Sequence, residues 1–534
     1  MQSQVLDPRR PYTGALAGGE THAFTLSVMA GQFVEILARQ DGIDLVLVVH
    51  GSDDKPLAEI DSPNGSYGPE VALVEATVTG AFKIEVRALE KSAPGGKYQL
   101  SATLWPSRAA YEAAEAKKQD EIRRWLGRTA IPLRTVQNEG SFADLAPLKK
   151  LFQKAQVVGL GEATHGTREF FQFKHRMLAY LVKELGFTVF AMEANVGGIR
   201  ATNAYVVDGK GTLDDAMRGL GFKVWTTEEL AALLQWLREH NQNQRPERRV
   251  RIVGVDCQEG PETAAPALEY LKSVQPELAT RLGEQLSKIG YGTDPKGGAP
   301  IVREILAWLI ADEGRLIAQT GRARYDEARD ALRVVVQYAE LGGLDRAKGM
   351  GSRDRYMASN LLSLLAQNPK ARVVFWGHNA HVARLLYPIN NALVPMMGWW
   401  LGEALKERYL AVGMAFGTGE FQAQDRTRPG SPMRTYKSGK PAIGSVEAMM
   451  AAARPGDFLV PWRGQAPPPF VTDWLHIPHS LRTAGGYNVP ENITALWEKG
   501  DVTTTNLGAE FDALLFIAQP TAARSYTLPP QKQR

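Results

Sequence analysis

Six ionisable side chains follow four apolar runs of this chain, and their types suit hydrolysis. Glu162 and His165 come after Val157 to Leu160, Glu193 after Phe187 to Met192, Asp256 after Val250 to Val255, and His378 and His381 after Ala371 to Trp376. Cleaving an ester with water needs a base, a group to hold the carbonyl oxygen, and a proton for the leaving alcohol. Histidine titrates near neutral pH and suits the first task, and His165 has Glu162 or Glu193 to orient it. Arg353, Lys174, His378 and His381 are candidates to steady the oxyanion or protonate the alcohol. No Gly-x-Ser-x-Gly elbow occurs, so water is the expected nucleophile. His165, His378, His381 and Glu193 (or Glu162) also make an alternative zinc or manganese set, but His-Glu-x-x-His is absent and no cofactor is expected.

The apolar runs are short enough to be strands. Gly159 and Gly161 bring the first one close to a neighbour or turn it sharply. After Gly166 a helical pattern begins with Phe170, Phe171, Phe173, Met177, Leu178, Leu181 and Val182. If the four strands lie side by side and parallel, their ionisable ends converge on one sheet edge, where α/β folds bind ligands. The expected fold is α/β, a mostly parallel sheet flanked by helices, with an all-β sandwich ahead of it. Residues 260–350 read as an inserted helical lobe over the strand ends, with Ile305, Leu309, Leu332 and Val335 on buried faces. Within it Gly290 to Gly298 is glycine-rich but lacks Gly-Lys-Ser/Thr, so a lid loop is expected rather than a phosphate loop. Further strands are expected at 409–413, 457–462 and 511–517, with a loose tail after Pro520.

The same residues resemble the erythromycin esterase-like family. The pattern is Gly161-Glu162-x-x-His165-Gly166, Glu169-Phe170, Glu193, Trp225-x-Thr227-Glu228, Arg353-Asp354-x-x-Met357-x-x-Asn360 and Trp376-x-His378-Asn379-x-His381-Val382, across roughly residues 120–520. The resemblance implies a carboxylic ester or lactone hydrolase with His165 as general base and Glu162, Glu193, His378 and His381 around it. It places Lys174, Arg353, Asp256 and Trp225 against the substrate, a small ester or lactone; Asp256, Arg353 and Asp354 can equally form a buried ion-pair network under the site. The family often carries Arg where this chain has Lys174. Arginine offers a planar fork and lysine a point charge, so poor cleavage of large macrolides is expected.

Residues 1–105 alternate in short runs such as Thr21 to Val28 and Phe82 to Arg87, separated by turns that include Gly18-Gly19, Asp41-Gly42 and Pro63-Asn64-Gly65, as in a sandwich. They resemble bacterial pre-peptidase C-terminal domains and carry no catalytic motif. Residues 106–128 read as a helical linker with solvated charges, and the catalytic domain as 129–524. At 534 residues, 44% hydrophobic and 22% charged with net charge +4, the chain is an ordinary globular one with no case for nucleic acid. No apolar run reaches the roughly 18 residues of a membrane span. Cys257, the one cysteine, reads as a buried structural thiol. The polar start, Met1-Gln2-Ser3-Gln4 then Asp7-Pro8-Arg9-Arg10, resembles a mature end left by a clipped signal. A periplasmic or secreted location is therefore expected, with the cytoplasm as the alternative. A catalytically silent ligand-binding protein is the competing reading. A pure binder, however, has no need of a positioned base.

Overall fold

A computed structural model describes residues 3–62, 66–286, 299–342, 344, 346–389, 392–425, 431–486, 489–498 and 503–530. The Gly290–Gly298 loop and the Pro63–Gly65 turn lie outside the described residues.

Residues 4–105 form two facing sheets. One has the order Gln4–Val5, Thr21–Val28, Gly80–Ala88, Leu45–His50, Pro56–Ile60, and the other Tyr12–Leu16, Gly96–Trp105, Phe33–Asp41, Tyr67–Glu75. Alternate residues of these strands point inward. Phe24, Leu26, Ile36, Val49, Ile84 and Leu100 are buried in their shared core. The expected sandwich is what the strands build.

The central sheet has eight strands: β1 (Ile131–Pro132), β2 (Val157–Leu160), β3 (Val189–Asn195), β4 (Arg251–Asp256), β5 (Val373–Trp376), β6 (Tyr409–Phe416), β7 (Phe458–Pro461) and β8 (Ala513–Ile517). Their order is β1-β7-β8-β6-β2-β5-β3-β4. Pairing is parallel from β8 through β4 and antiparallel only where β7 meets β8 and β1. Helices cover both faces, which is why the strands read as unbroken apolar runs. Val158, Phe190 and Val374 face helices Arg168–Leu185 and Glu228–Gln242, while Val157, Val189 and Val373 face helices Arg346–Gln367 and Met397–Leu405.

Among the described residues, five helices between Pro261 and Leu341 form the lobe, with their own core of Leu271, Leu282, Val302, Ile305, Leu309, Leu332 and Val335. Cys257 is buried against Val334 and Leu341 where the lobe meets the strand ends. Among the described residues no helix is long and apolar enough to cross a membrane.

The helix expected over 106–128 is present as Arg108–Thr129, and it buries Ile122, Trp125 and Leu126 in the central core. Its charged outer face is solvated, but its inner face belongs to the catalytic domain. One expectation is corrected: the tail is not loose. Ala523 N donates to Gly166 O (2.9 Å), Arg168 N to Thr521 O (2.9 Å) and Tyr526 N to Thr226 O (3.0 Å), so residues 521–526 strap the His165 loop to the Trp225 loop. Backbone pairing of this kind needs no hydrophobic period, and polar composition conceals it.

Candidate active site

In the sheet, β2, β5, β3 and β4 are consecutive and parallel, with Leu160 and Met192 both opposite Trp376. The residues after each strand therefore emerge along one edge. Glu193 lies in a bulge: Met192 pairs with Gly254 but Asn195 pairs with Asp256, one residue more on β3 than on β4. Bulges re-aim side chains. The bulged backbone crosses directly over Gly254, where a Cβ would sit 2.5 Å from the Ala194 and Asn195 carbonyls. Gly166 is also required, because a Cβ there would run into the Gln422 carbonyl.

His165 is held on one side only. Its Nδ1 donates to Glu162 Oε1 (2.6 Å), and Lys174 Nζ donates to Glu162 Oε2 (2.6 Å) and to Gly377 O (3.2 Å). Among the described residues, Nε2 of His165 has no hydrogen-bond partner. The Trp225 ring stands edge-on to the imidazole, centroids 5.1 Å apart, and Trp225 Nε1 donates to Glu193 O (2.9 Å). Lys174 is fully buried over the Trp376 ring. Burial outweighs the attraction of Glu162 and brings its ammonium down to about 8.

His381 is held on both sides. Nδ1 donates to Asp354 Oδ1 (2.7 Å), and Nε2 lies 3.2 Å from Glu193 Oε1. Burial alone would lower its pKa, but Asp354 and Glu193 overcome that and raise it to about 10, so the ring is an imidazolium. Arg353 Nη1 also lies 3.2 Å from Nε2, but a charged ring donates to Glu193 instead, and the guanidinium serves the carboxylates. Arg353 Nη2 donates to Asp256 Oδ2 (2.6 Å) and Glu193 Oε1 (3.0 Å), and Nε to Asp256 Oδ1 (3.1 Å). Against the cost of burial, His381, His165 and Arg353 hold the Glu193 carboxyl well below the usual range.

His378 is a third kind. Its Nδ1 accepts from Ala380 N (3.3 Å), so Nε2 carries the proton and faces Ala163 O (3.3 Å) and Thr483 Oγ1 (3.2 Å). Burial, with His165 nearby, pushes it down to about 3, so it is neutral. Its backbone N donates to Glu193 Oε2 (3.0 Å), and its ring centroid is 5.0 Å from that of His165.

All the residues singled out by type and spacing thus come together, but not in one layer. Lys174 does not reach the substrate side, being sealed behind Glu162, and Asp256 takes the second of its two expected places, the buried ion pair with Arg353. Trp225 is 1% exposed and walls His165. Asp354 and Thr483 complete the set. Asp354 is marked in the sequence by its place beside Arg353 and in the expected ion-pair network, whereas nothing around Thr483 in the sequence marks it. At the His/Glu set the Arg353 guanidinium, itself a cation, stands beside Glu193 and His381, and His381 is held on both nitrogens by Asp354 and Glu193, so among the described residues His165 Nε2 is the ring nitrogen of this group left without a protein partner. Among the described residues no three His, Cys, Asp or Glu side chains converge as metal ligands.

Fold and site together define an α/β protein with acid–base groups gathered at parallel strand ends. The family model described as erythromycin esterase matches residues 182–519, well over half of the chain. The chain belongs to the erythromycin esterase family, and that membership makes it a hydrolase. It is similar to an erythromycin esterase type II of Escherichia coli, 25% identical over 360 residues, covering 60% of this chain and 84% of that one. It is also similar to YbfO of Bacillus subtilis (strain 168), 26% identical over 432 residues, covering 74% and 92%. A solved Bacillus cereus protein shares the fold at TM-score 0.66 and 24% identity, covering 77% of this chain and 99% of that one.

Proposed function

We propose that this chain hydrolyses a carboxylic ester or lactone with a water molecule activated by His165, without a metal. The observation that carries this reading is the Glu162–His165 pair. Glu162 fixes the proton on Nδ1, which leaves the Nε2 lone pair with no protein partner among the described residues. Lys174 Nζ holds the other Glu162 oxygen and compensates the carboxylate's charge.

In this reading Nε2 removes a proton from water as the oxygen bonds to the carbonyl carbon. The carbonyl π electrons move to oxygen, and positive charge from Arg353 and His381 favours that state. The adduct collapses with cleavage of the bond to the alcohol oxygen, which takes the proton back from His165. Glu193 is a positioning residue, since both its oxygens are occupied by Arg353, His381 and the His378 amide.

The test is a panel of aryl esters, alkyl esters and lactones, run before and after exhaustive chelation. His165→Asn is expected to cut turnover by about 10²–10⁴-fold, the usual worth of a general base. Chelation should leave turnover unchanged. Loss on chelation with recovery on adding zinc or manganese, or full activity in His165→Asn, would overturn the mechanism.

A further inference from the structure

We infer that Thr483 is a further catalytic residue, donating its hydroxyl to the carbonyl oxygen of the substrate. The inference rests on the ester-hydrolysis reading above. Thr483 opens the loop that ends at Gly486, and this loop lies across both histidines nearest the free imidazole nitrogen. Ala484 N donates to Ala163 O (2.8 Å), pinning the loop to the His165 turn. At its far end, a Cβ on Gly486 would stand 3.2 Å from His165 Cβ.

The hydroxyl is poised by its partners. His378 is neutral with its proton on Nε2, because Ala380 N occupies Nδ1. That N–H is shared between Ala163 O (3.3 Å) and Thr483 Oγ1 (3.2 Å), so the hydroxyl oxygen accepts from it and directs its own hydrogen elsewhere. The acceptor available to it is Ala163 O, 3.4 Å away, which is long for an O–H donor. Ala163 O already accepts from Ala484 N and does not depend on the threonine. A better acceptor therefore displaces this bond at little cost. Thr483 is half-buried, and the His378 ring it touches has its centroid 5.0 Å from that of His165. An oxyanion forming there takes a donor already polarised by the His378 N–H behind it. His378 acts through the threonine and needs no charge to do so.

The experiment uses the full chain and an aryl ester that it turns over. Thr483→Val keeps shape and removes the hydroxyl. It is expected to lower kcat by about 10²–10³-fold, as for loss of one oxyanion donor, with KM little changed. Thr483→Ser should recover most of kcat. A phosphonate mimic of the tetrahedral adduct should bind more weakly to Thr483→Val, while the carboxylate product binds as before. Wild-type kcat in Thr483→Val, or equal losses in the valine and serine variants with a lowered melting temperature, would overturn the assignment. Full turnover in His165→Asn would overturn the hydrolysis reading itself. A dead His165→Asn beside an active Thr483→Val would overturn only the role of the threonine.

Discussion

His165 and His381 follow neighbouring strands of one sheet, yet their surroundings give them opposite states. Glu162 holds one nitrogen of His165 and leaves the other open. Asp354 and Glu193 close on both nitrogens of His381 and keep it charged. The carboxylate behind each ring is compensated differently as well. Glu162 has Lys174, whereas Glu193 and Asp256 share Arg353. Residue type alone would make either histidine the base. The difference teaches that a second carboxylate turns an imidazole from a proton acceptor into a fixed cation, and that buried counter-charges decide which half of the site does chemistry.

The strongest way to break this contrast is to remove Lys174. In Lys174→Met the buried Glu162 loses its cation, and the uncompensated charge favours a proton on the imidazole it already holds. Breaking a buried pair typically costs about 3–5 kcal/mol, so the variant should be clearly less stable. The protein that remains folded should lose activity at neutral pH and regain part of it at higher pH. Thermal unfolding and a pH–rate profile check this. An unshifted profile would mean that Lys174 does not govern His165. Lys174→Arg should not be a simple rescue for macrolides, because a larger group in a sealed, close-packed site typically costs about 1–3 kcal/mol. If this position affects substrate choice, it does so through Glu162, since it has no exposed surface.

The His381 half can be sharpened by pH. Its folded pKa, about 10, lies above the ordinary value, so the stabilisation it provides is complete below about 6.5 and is lost as pH rises through about 10. In Asp354→Asn the oxygen can still accept from Met397 N, but the charge is gone. The melting temperature of the variant should be lower at pH 7 and fall less steeply toward pH 10 than that of the parent protein. Parallel curves would show that His381 is not held charged by Asp354. His378 has the reverse sign. Its pKa of about 3 makes it a source of instability as pH falls below about 6.5.

Much of this site could be read before any coordinates. A buried parallel strand must be apolar throughout, and the first polar residues after it must lie at the sheet edge, so Glu162, His165, Glu193, Asp256, His378 and His381 were visible as strand endings. Their depth was not. Lys174 sits on the helix after His165, and only the packing of that helix under the loop shows that its ammonium points inward. The bulge at Glu193 had a signal in Gly254, a glycine inside an otherwise apolar strand, which marks close backbone approach. The strap at 521–526 had none, because its contacts are made by backbone atoms that every residue carries.

The smallest effect is expected from the region least like the site. The sandwich core is built mainly of apolar side chains, with Gln40 and Glu70 buried beside them, and its contacts with the rest of the molecule include the Arg39–Asp473 ion pair and the packing of Phe33 on Tyr111 at 5.0 Å. Neither contact reaches a strand-end residue. Removing residues 1–105 should leave kcat and KM for a small ester within about twofold, as for a module with its own core. The cut must fall before Ser107, whose hydroxyl caps helix Arg108–Thr129. A chain starting inside that helix would lose Ile122, Trp125 and Leu126 from the central core and should fail to fold. Comparing starts at 106 and at 130 separates the two effects by solubility, melting temperature and ester turnover. A folded chain starting at 106 with no activity would show that the sandwich takes part in the site, and the contrast between the charged strand ends and the apolar module would no longer describe where function lies.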